Sequence, residues 1–215
     1  MTLPLQLQTY HWDNDQLQLY VPDPQAVQAQ YQSQKEVNSN TPFPYWAKIW
    51  PAAVAMGSFL LQHPEYITGK KVLELAAGLG LPSLIAARYA TEVWCSDYIA
   101  EAVAVVQQSA HYNHIQNIYG TVLNWHHLPQ SLTADVLLLS DINYDPDEFK
   151  ALYAVLINFL KKGTTIILST PQRLMAKPFV ERLLQWCIHR QEITVQQDEA
   201  AIPISLFVLK INAPL

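Results

Sequence analysis

Two acidic side chains and two glycines stand where the chain could bind a nucleotide. Glu74 lies in a short, mostly apolar run at residues 72–75, and Gly78 and Gly80 follow it before a helical stretch begins. Glycine has no Cβ, so it allows the tight turn and the close backbone approach that a cofactor requires. Asp97 closes the next apolar run, 23 residues after Glu74, where doubly wound nucleotide folds place the acid that binds ribose hydroxyls. The spacing predicts that these four residues bind one nucleotide.

The charge of this loop favours a cofactor that carries a positive group. Glu74 would repel a pyrophosphate at short range, and the G-x-G-x-x-G pattern of dinucleotide sites is incomplete, since Ser83 stands where a third glycine would be. A nicotinamide-dependent dehydrogenase is therefore disfavoured. S-adenosylmethionine carries a sulfonium, an ammonium group and a ribose but no phosphate, so two carboxylates beside a glycine turn suit it. We expect this molecule to be the cofactor.

A third element, Asn124 and Trp125, follows the predicted strand at residues 118–123. These residues could offer an amide to the edge of the adenine and a ring to its face. Each feature also has a simpler explanation: a plain turn for the glycines, a helix cap for Asp97 and core packing for Trp125. The order of the three elements along the chain favours a cofactor site.

Asp141 and Tyr144 indicate where the second substrate would bind. They follow the apolar strand at residues 136–140, and ligands of open α/β sheets lie outside the carboxyl ends of the strands. Asp141 could orient an amine, and Tyr144 could pack on it through cation–π and hydrogen-bond contacts. A free lysine has a pKa of about 10.4, so such a site must bind the cation and then let a proton leave. The alternative is that Asp141 only caps a loop.

The composition limits the class of protein. Of 215 residues, 50% are hydrophobic and 14% are charged, which is enough apolar surface for one domain and excludes wholesale disorder. No apolar run approaches the roughly 18 residues of a membrane span. Cys95 and Cys187 lie far apart and lack metal-ligand spacing, so neither a disulfide nor a metal site is predicted.

The charge distribution and the N-terminus bear on partners and location. The formal net charge is −5, and no basic run is longer than two lysines, so a nucleic-acid partner is disfavoured. Residues 1–6 lack the basic and apolar regions of an export signal. A cytoplasmic location is therefore the expectation, and the sequence makes no prediction of the oligomeric state.

Strand and helix patterns alternate from residue 71 onward, which is typical of an α/β fold with parallel strands and covering helices. Residues 136–139 are continuously apolar, as expected of a central strand that is buried on both faces. No helical pattern separates the last two strands, so we expect them to be antiparallel. The predicted strands are residues 72–75, 92–96, 118–123, 136–140, 165–169, 192–196 and 205–211. The predicted helices are residues 82–89, 101–113, 147–160 and 177–189.

Residues 1–43 are predicted to form an N-terminal extension ahead of a domain at residues 44–215. The extension contains one alternating strand at residues 17–21 and a helix that begins at Pro24. An aromatic, proline-rich segment follows at residues 41–51, and its prolines predict a rigid backbone. Because the extension precedes this segment, it is a candidate lid over the acceptor site.

Three motifs resemble those of the class I, seven-strand methyltransferases, and among them the protein-lysine methyltransferases of the methyltransferase-16 family. They are the Trp-Pro segment at residues 45–51, the glycine turn at residues 74–80 and the D-x-x-Y element at residues 141–144. The resemblance spans residues 44–173. It implies a doubly wound, mostly parallel seven-stranded sheet with the strand order 3-2-1-4-5-7-6, in which the last strand but one is antiparallel.

The resemblance also implies a role for each motif residue. Trp50 would border the cofactor, and Asp97 would hold its ribose. Ala76 belongs to the cofactor loop at a position where relatives commonly carry glycine, and Asn124 stands where they often carry aspartate. The methionine part would be held by Glu74, Gly78 and Gly80, the adenine would be flanked by Asn124 and Trp125, and the acceptor would be met by Trp46, Asp141, Asn143 and Tyr144.

The function expected from these residues is S-adenosylmethionine-dependent N-methylation of a lysine in a partner protein. One alternative is a small-molecule N-methyltransferase, in which Trp46 and Tyr144 would enclose a flat amine or a pyridine such as nicotinamide. Another is a scaffold protein that binds the cofactor without turnover. The motifs do not separate these cases.

Overall fold

The alternation predicted from residue 71 onward is present in the computed structural model, which describes residues 3–12, 15–197 and 199–211. The strands are β1 (Leu5–Trp12), β2 (Asp15–Pro22), β3 (Lys71–Glu74), β4 (Glu92–Asp97), β5 (Ile118–Val122), β6 (Val136–Ser140), β7 (Thr165–Pro171), β8 (Cys187–Gln197) and β9 (Ala200–Leu209). The helices are α1 (Pro24–Val37), α2 (Pro51–Gln62), α3 (Leu81–Ala86), α4 (Ala100–Tyr112), α5 (Phe149–Lys161) and α6 (Lys177–Leu183). Within the described ranges, no helix is both long and apolar enough to cross a membrane.

Seven strands form one sheet in the order β5-β4-β3-β6-β7-β9-β8. The first five of these are parallel, whereas β9 runs antiparallel to both of its neighbours. Counted from β3, this is the strand order that the resemblance implies, and the predicted α/β fold class is confirmed. The central strand β6 is buried from Val136 to Leu139, because helices cover both faces of the sheet.

Successive residues of the central strands point to opposite faces of the sheet. On one face, Val72 and Leu138 belong to a hydrophobic cluster with residues of α2 and α3. On the other face, Leu73 and Leu137 belong to a second cluster with residues of α5 and α6. The two layers fix the positions of the strand ends, from which the loops with the candidate site residues begin.

The hairpin of β1 and β2 packs onto the first of these layers. Leu17, Leu19 and Val21 of β2 are at most 5% exposed and belong to the same cluster as α2. The N–H of Tyr20 donates to the Ser109 hydroxyl of α4 at 3.0 Å. The predicted extension is therefore part of the core through β2, which leaves only α1 and the residues after it as a candidate lid.

Two predicted boundaries are wrong near the C-terminus. The helix predicted at residues 177–189 ends at Leu183, and Cys187 already begins β8. The residues of β8 are mostly polar and half-exposed, so pairing with β9 rather than a local hydrophobic pattern sets their conformation. β9 begins at Ala200 instead of residue 205 and includes Pro203.

Candidate active site

A cavity of about 340 Å³ lies at the carboxyl ends of β3, β4, β6 and β7. This is the edge of the sheet at which open α/β folds bind ligands. Eight of the residues predicted from the sequence line it, namely Trp46, Trp50, Ala76, Gly78, Asp97, Trp125, Asp141 and Tyr144. The structure thus brings the cofactor loop and the acceptor element to a single cavity.

A second cavity, of about 240 Å³, adjoins the first, and Ala76, Trp125 and Tyr144 line both. Asn124 lines the second cavity, so the two residues predicted to flank adenine stand together there. Glu148, which the sequence suggests only as the start of a helix, also lines it and accepts a hydrogen bond from the Trp125 indole at 3.2 Å.

The glycine loop has the left-handed backbone that its composition predicts. Gly78 has a φ of +54°, and a Cβ built on it would lie 3.3 Å from the carbonyl oxygen of Trp46. Gly80 has a φ of +66°, and its Cβ would lie 2.9 Å from the Cys95 sulfur and 2.8 Å from Val106. Gly78 therefore keeps the loop close to the Trp-Pro segment, whereas Gly80 packs against the core and supports the loop from behind.

Ala76 also has a left-handed backbone, with a φ of +52°. This conformation costs an L-residue about 1–2 kcal/mol, and glycine adopts it freely. The conformation gives a physical reason for the glycine that the family resemblance leads us to expect at this position. Ala76 lines both cavities.

The Asp97 carboxylate closes the loop over the end of β4. One of its oxygens accepts a hydrogen bond from the Gly78 N–H at 2.9 Å, and the other accepts one from the Ile99 N–H at 3.0 Å. Burial raises the pKa of Asp97, and the backbone N–H groups that it accepts from oppose this effect. The carboxylate is thus held in place at the cavity wall, where each oxygen keeps a lone pair for a ligand hydroxyl.

Glu74 is not where the sequence predicts it. Among the described residues, Asp97 lines the first cavity, whereas Glu74, which is 1% exposed, lines neither of the two. Its carboxylate accepts hydrogen bonds from the N–H and the hydroxyl of Ser83, in the first turn of α3. Glu74 points to the same side of β3 as Val72, toward the helices. The direct cofactor contact predicted for it is replaced by a supporting position under the loop.

Asp141 follows β6 in a left-handed conformation, with a φ of +56°, which is uncommon for a residue other than glycine. Its N–H donates to the carbonyl of Ser169 at 2.9 Å and so extends the pairing of β6 with β7. The carboxylate is 8% exposed and forms a two-point ion pair with the guanidinium of Arg173.

Arg173 is a site residue that the sequence does not predict. It follows β7, the strand next to β6, and lines the cavity. A signal was available, because the carboxyl ends of neighbouring parallel strands meet at one edge of a sheet. A lone arginine after a strand is otherwise indistinguishable from a surface residue.

Aromatic rings form the wall of the cavity beside Asp141. The ring of Tyr144 lies 5.4 Å from that of Tyr45, which lies 5.9 Å from that of Trp50. The Trp50 indole donates to the Tyr45 carbonyl at 2.8 Å. Burial raises the pKa of Tyr144, and the neighbouring Tyr98 and Tyr45 raise it further. Tyr144 therefore stays a neutral phenol near neutral pH, able to donate or accept a hydrogen bond.

Asn143, like Glu74 and Gly80, lines neither cavity. Its side chain is completely buried, and neither its amide nitrogen nor its oxygen has a hydrogen-bond partner among the described residues. The cavity lining in this part of the chain includes Ser140, Asp141, Ile142 and Tyr144, but not Asn143. Asn143 is therefore placed beside the cavity wall rather than at its surface, and the geometry does not show the direct substrate contact predicted for it.

The cavity residues fit S-adenosylmethionine. Gly78 leaves space where a side chain would fill the loop, and Asp97 holds a buried carboxylate at the wall. The aromatic side chains of Trp50 and Trp125 supply apolar walls of the kind that small-molecule sites have. Asp97 would hold the ribose, residues 76–78 the methionine part, and Asn124 with Trp125 the adenine.

The strand order and the position of this cavity define a class I S-adenosylmethionine-dependent methyltransferase. Solved structures have the same fold. The N-methyltransferase NodS from Bradyrhizobium japonicum in complex with S-adenosyl-L-homocysteine superimposes with a TM-score of 0.59 at 14% identity, covering 83% of this chain and 97% of that one. TrmN from Thermus thermophilus gives a TM-score of 0.54 at 19% identity, covering 72% of this chain and 48% of that one.

The sequence places the chain more narrowly. The profile of the lysine methyltransferase family, methyltransferase-16, matches residues 33–186, and the chain belongs to this family. The histone-arginine methyltransferase METTL23 of Homo sapiens is 32% identical over an alignment of 152 positions, and the match covers 66% of this chain and 80% of that protein. The electron transfer flavoprotein beta subunit lysine methyltransferase of Mus musculus is 29% identical over an alignment of 135 positions, and the match covers 60% of this chain and 51% of that protein. The predicted family, enzyme class and cofactor are confirmed.

Proposed function

We propose that the chain methylates the side-chain amine of a lysine in a partner protein. The observation that carries this proposal is the position of Asp141 and Tyr144 in the cavity that also contains Asp97 and Gly78. An acid and an aromatic hydroxyl beside the cofactor loop form a site for a basic nitrogen. The family supports a lysine, since its members are described as lysine methyltransferases.

S-adenosylmethionine, when bound, supplies an electrophilic methyl group on a sulfonium. The residues of this chain position the nucleophile. An oxygen of Asp141 accepts a hydrogen bond from an N–H of the amine. This bond orients the amine so that the lone pair of its nitrogen points along the cavity. Tyr144 and Trp46 line the cavity around the nucleophile, and alignment of the reacting groups accounts for a large share of the rate of transfer reactions.

A protein arginine is a second candidate, and two observations favour it. METTL23, the 32% identical relative, is named a histone-arginine methyltransferase. In addition, the Asp141 carboxylate already binds one guanidinium, that of Arg173, through both of its oxygens. A carboxylate in this position has the geometry that a second guanidinium would need.

The test is transfer of labelled methyl from S-adenosylmethionine to proteins of a cell lysate, followed by mass spectrometry of the labelled band. We expect methyllysine in a discrete protein. Methylarginine would support the second candidate, and label confined to small molecules would reject a protein acceptor. Tight binding of the cofactor with no transfer to any acceptor would instead indicate a scaffold.

Asp97→Asn tests whether the methyl transfer depends on this cavity. An asparagine has one acceptor oxygen, so either the Gly78 or the Ile99 N–H loses its partner. We expect the affinity for S-adenosylhomocysteine to fall by about 10- to 100-fold, as for the loss of one or two hydrogen bonds to a charged group. Asp135→Asn is the matched control, since Asp135 accepts from the Lys71 N–H at 2.8 Å at the opposite edge of the sheet.

A further inference from the structure

The carboxylate that is expected to meet the acceptor already has a partner inside the chain. Both terminal nitrogens of Arg173 donate to Asp141, one to each carboxylate oxygen, and the second of these bonds is 3.0 Å long. Two-point pairs of this kind are strong and fix the orientation of both side chains. Arg173 also lines a neighbouring groove of about 370 Å³ between β7, β9 and α6. It therefore stands at the border of the two openings.

An unpaired carboxylate would hinder the reaction that it is meant to assist. A protonated amine has no lone pair and cannot accept a methyl group. Opposite charges in contact attract each other strongly near a protein surface, so a free Asp141 would hold the acceptor as an ammonium ion. A cation next to an amine has the opposite effect and favours the neutral, nucleophilic form.

We propose that Arg173 is a positioning residue: it holds the Asp141 carboxylate in place, and its charge prevents that carboxylate from trapping the acceptor amine as an unreactive cation. The inference rests on the proposed methylation of a lysine. The amine releases its proton to water in the open cavity before the transfer. Its lone pair then forms the new C–N bond, and the electron pair of the breaking C–S bond stays on the sulfur as a neutral thioether.

Other charged and titratable groups face the same space. On the cavity side, Lys48 lies over the Trp50 ring, with its Nζ 4.8 Å from the ring centre. Burial raises the pKa values of Tyr98 and Tyr144, so both remain neutral near physiological pH. Beyond the pair itself, the cavity-side groups are Tyr45, Lys48, Asp97, Tyr98 and Tyr144.

On the groove side, the charged groups that face Arg173 are each placed near an opposite charge. Lys177 lies 3.8 Å from Glu181, and Arg190 lies 2.9 Å from Glu192. Of the cations in the described chain that line the cavity, Arg173 is the one bonded to Asp141. Among these cations, Arg173 should therefore have the largest effect on the pKa of an acceptor amine that binds beside Asp141.

The first test is the pH dependence of kcat/KM for methylation of the labelled acceptor. Arg173→Gln should move the half-maximum upward by about one pH unit, which corresponds to about 1.4 kcal/mol of added stabilisation of the ammonium form. Arg173→Lys keeps the charge and should restore a profile close to that of the native chain. Arg190→Gln removes the same charge from the exposed groove and is the matched control, with no shift expected.

A second test uses a variant that removes the opposite charge and measures binding rather than turnover. Asp141→Asn leaves the charge of the Arg173 guanidinium uncompensated. The pH at which kcat/KM of this variant reaches half its maximum should therefore lie below that of the native chain. The probe for binding is n-butylamine, a cation near pH 7, titrated by calorimetry in the presence of S-adenosylhomocysteine. Arg173→Gln should bind it about tenfold more tightly than the native chain, and Arg190→Gln should not.

The outcomes separate this inference from the proposed function. If the native chain methylates no lysine, the proposed function fails. If the native chain is active but Arg173→Gln shifts neither the pH profile nor the n-butylamine affinity, only the role of Arg173 is overturned. Should Arg173→Gln not fold, an upward or absent shift in Asp141→Asn overturns it equally.

Discussion

One oxygen of the Glu74 carboxylate accepts two hydrogen bonds from Ser83, from the N–H at 3.0 Å and from the hydroxyl at 2.5 Å. Ser83 lies in the first turn of α3, where backbone N–H groups have no partner within the helix. Burial raises the pKa of Glu74 from an ordinary 4.5 to about 8, although both hydrogen bonds oppose the rise. Glu74 under the cofactor loop is therefore mostly protonated and neutral near pH 7, and it binds its proton more tightly when the chain is folded.

The pH dependence of stability should reveal this proton. Because the pKa of Glu74 is raised in the folded state, the stability that its proton contributes is complete below about pH 4.5 and is lost as the pH rises to about 8. Glu74→Gln keeps an oxygen for both Ser83 bonds and has no proton to lose. Between about pH 5 and 8, the native chain should lose about 3 kcal/mol of unfolding free energy relative to this variant.

Urea denaturation at intervals across this range measures the difference. Glu181→Gln is the control, since Glu181 is exposed and its charge lies on the surface of α6. Parallel stability curves for the native chain and Glu74→Gln would show that the Glu74 pKa is not raised.

Gly80→Ala should destabilise the chain by a combination of strain and overpacking. The left-handed backbone costs an alanine about 1–2 kcal/mol, and the added methyl must displace Val106 and Cys95, at about 1–3 kcal/mol. Gly163 has a φ of +85° and nothing within 4 Å of its built Cβ, so Gly163→Ala reports the strain alone. Chemical denaturation should give Gly80→Ala a clearly lower free energy of unfolding than Gly163→Ala. Equal losses of this free energy would argue against tight packing behind the loop.

Ala76→Gly should leave the free energy of unfolding unchanged or raise it by up to about 1.6 kcal/mol. The glycine relieves the left-handed strain of about 1–2 kcal/mol and loses about 0.4–1 kcal/mol through the freer unfolded chain. The backbone of the adjacent Ala77 is not left-handed. Ala77→Gly should therefore lose only the about 0.4–1 kcal/mol that comes from the freer unfolded chain. Thermal unfolding of the two variants gives the comparison, and the opposite order would contradict the strain at Ala76.

The parts of the fold that the sequence predicts are those set by local patterns. The apolar run at residues 136–139 identifies a buried central strand, and the missing helix before residue 205 identifies an antiparallel pair. The glycine turn is also predictable from local sequence, because the left-handed backbone at residues 78 and 80 favours glycine at both positions. The first part of the polar strand β8, from Cys187 to Gln191, is found only in the structure, because pairing with β9 and not a local hydrophobic pattern holds it there.

The sequence predicts a site residue well when its position at a strand end is enough to place it in the cavity. The prediction is poorer when the direction of the side chain decides the outcome. Asp97 and Asp141 end their strands at the cavity edge, and the spacing along the chain locates them. Glu74 also lies at a strand end, but the period-two alternation with Val72 turns its side chain toward α3. The pairing of Asp141 with Arg173 joins residues 32 positions apart, and no local pattern encodes such a contact.

The position of the N-terminal hairpin leads to the last prediction. Leu19 of β2 is completely buried in the core cluster, whereas Leu7 of β1 is 38% exposed. Leu19→Ala should cost about 2–5 kcal/mol of unfolding free energy through lost burial and a residual cavity. Leu7→Ala, the control on the paired strand, should change it by about 0.5 kcal/mol or less. A hairpin acting as a lid predicts a different pattern, in which Leu19→Ala leaves the stability intact and raises the KM for the acceptor. Urea denaturation combined with methylation kinetics on the folded fraction distinguishes the two, because a core role lowers the unfolding midpoint and leaves KM unchanged.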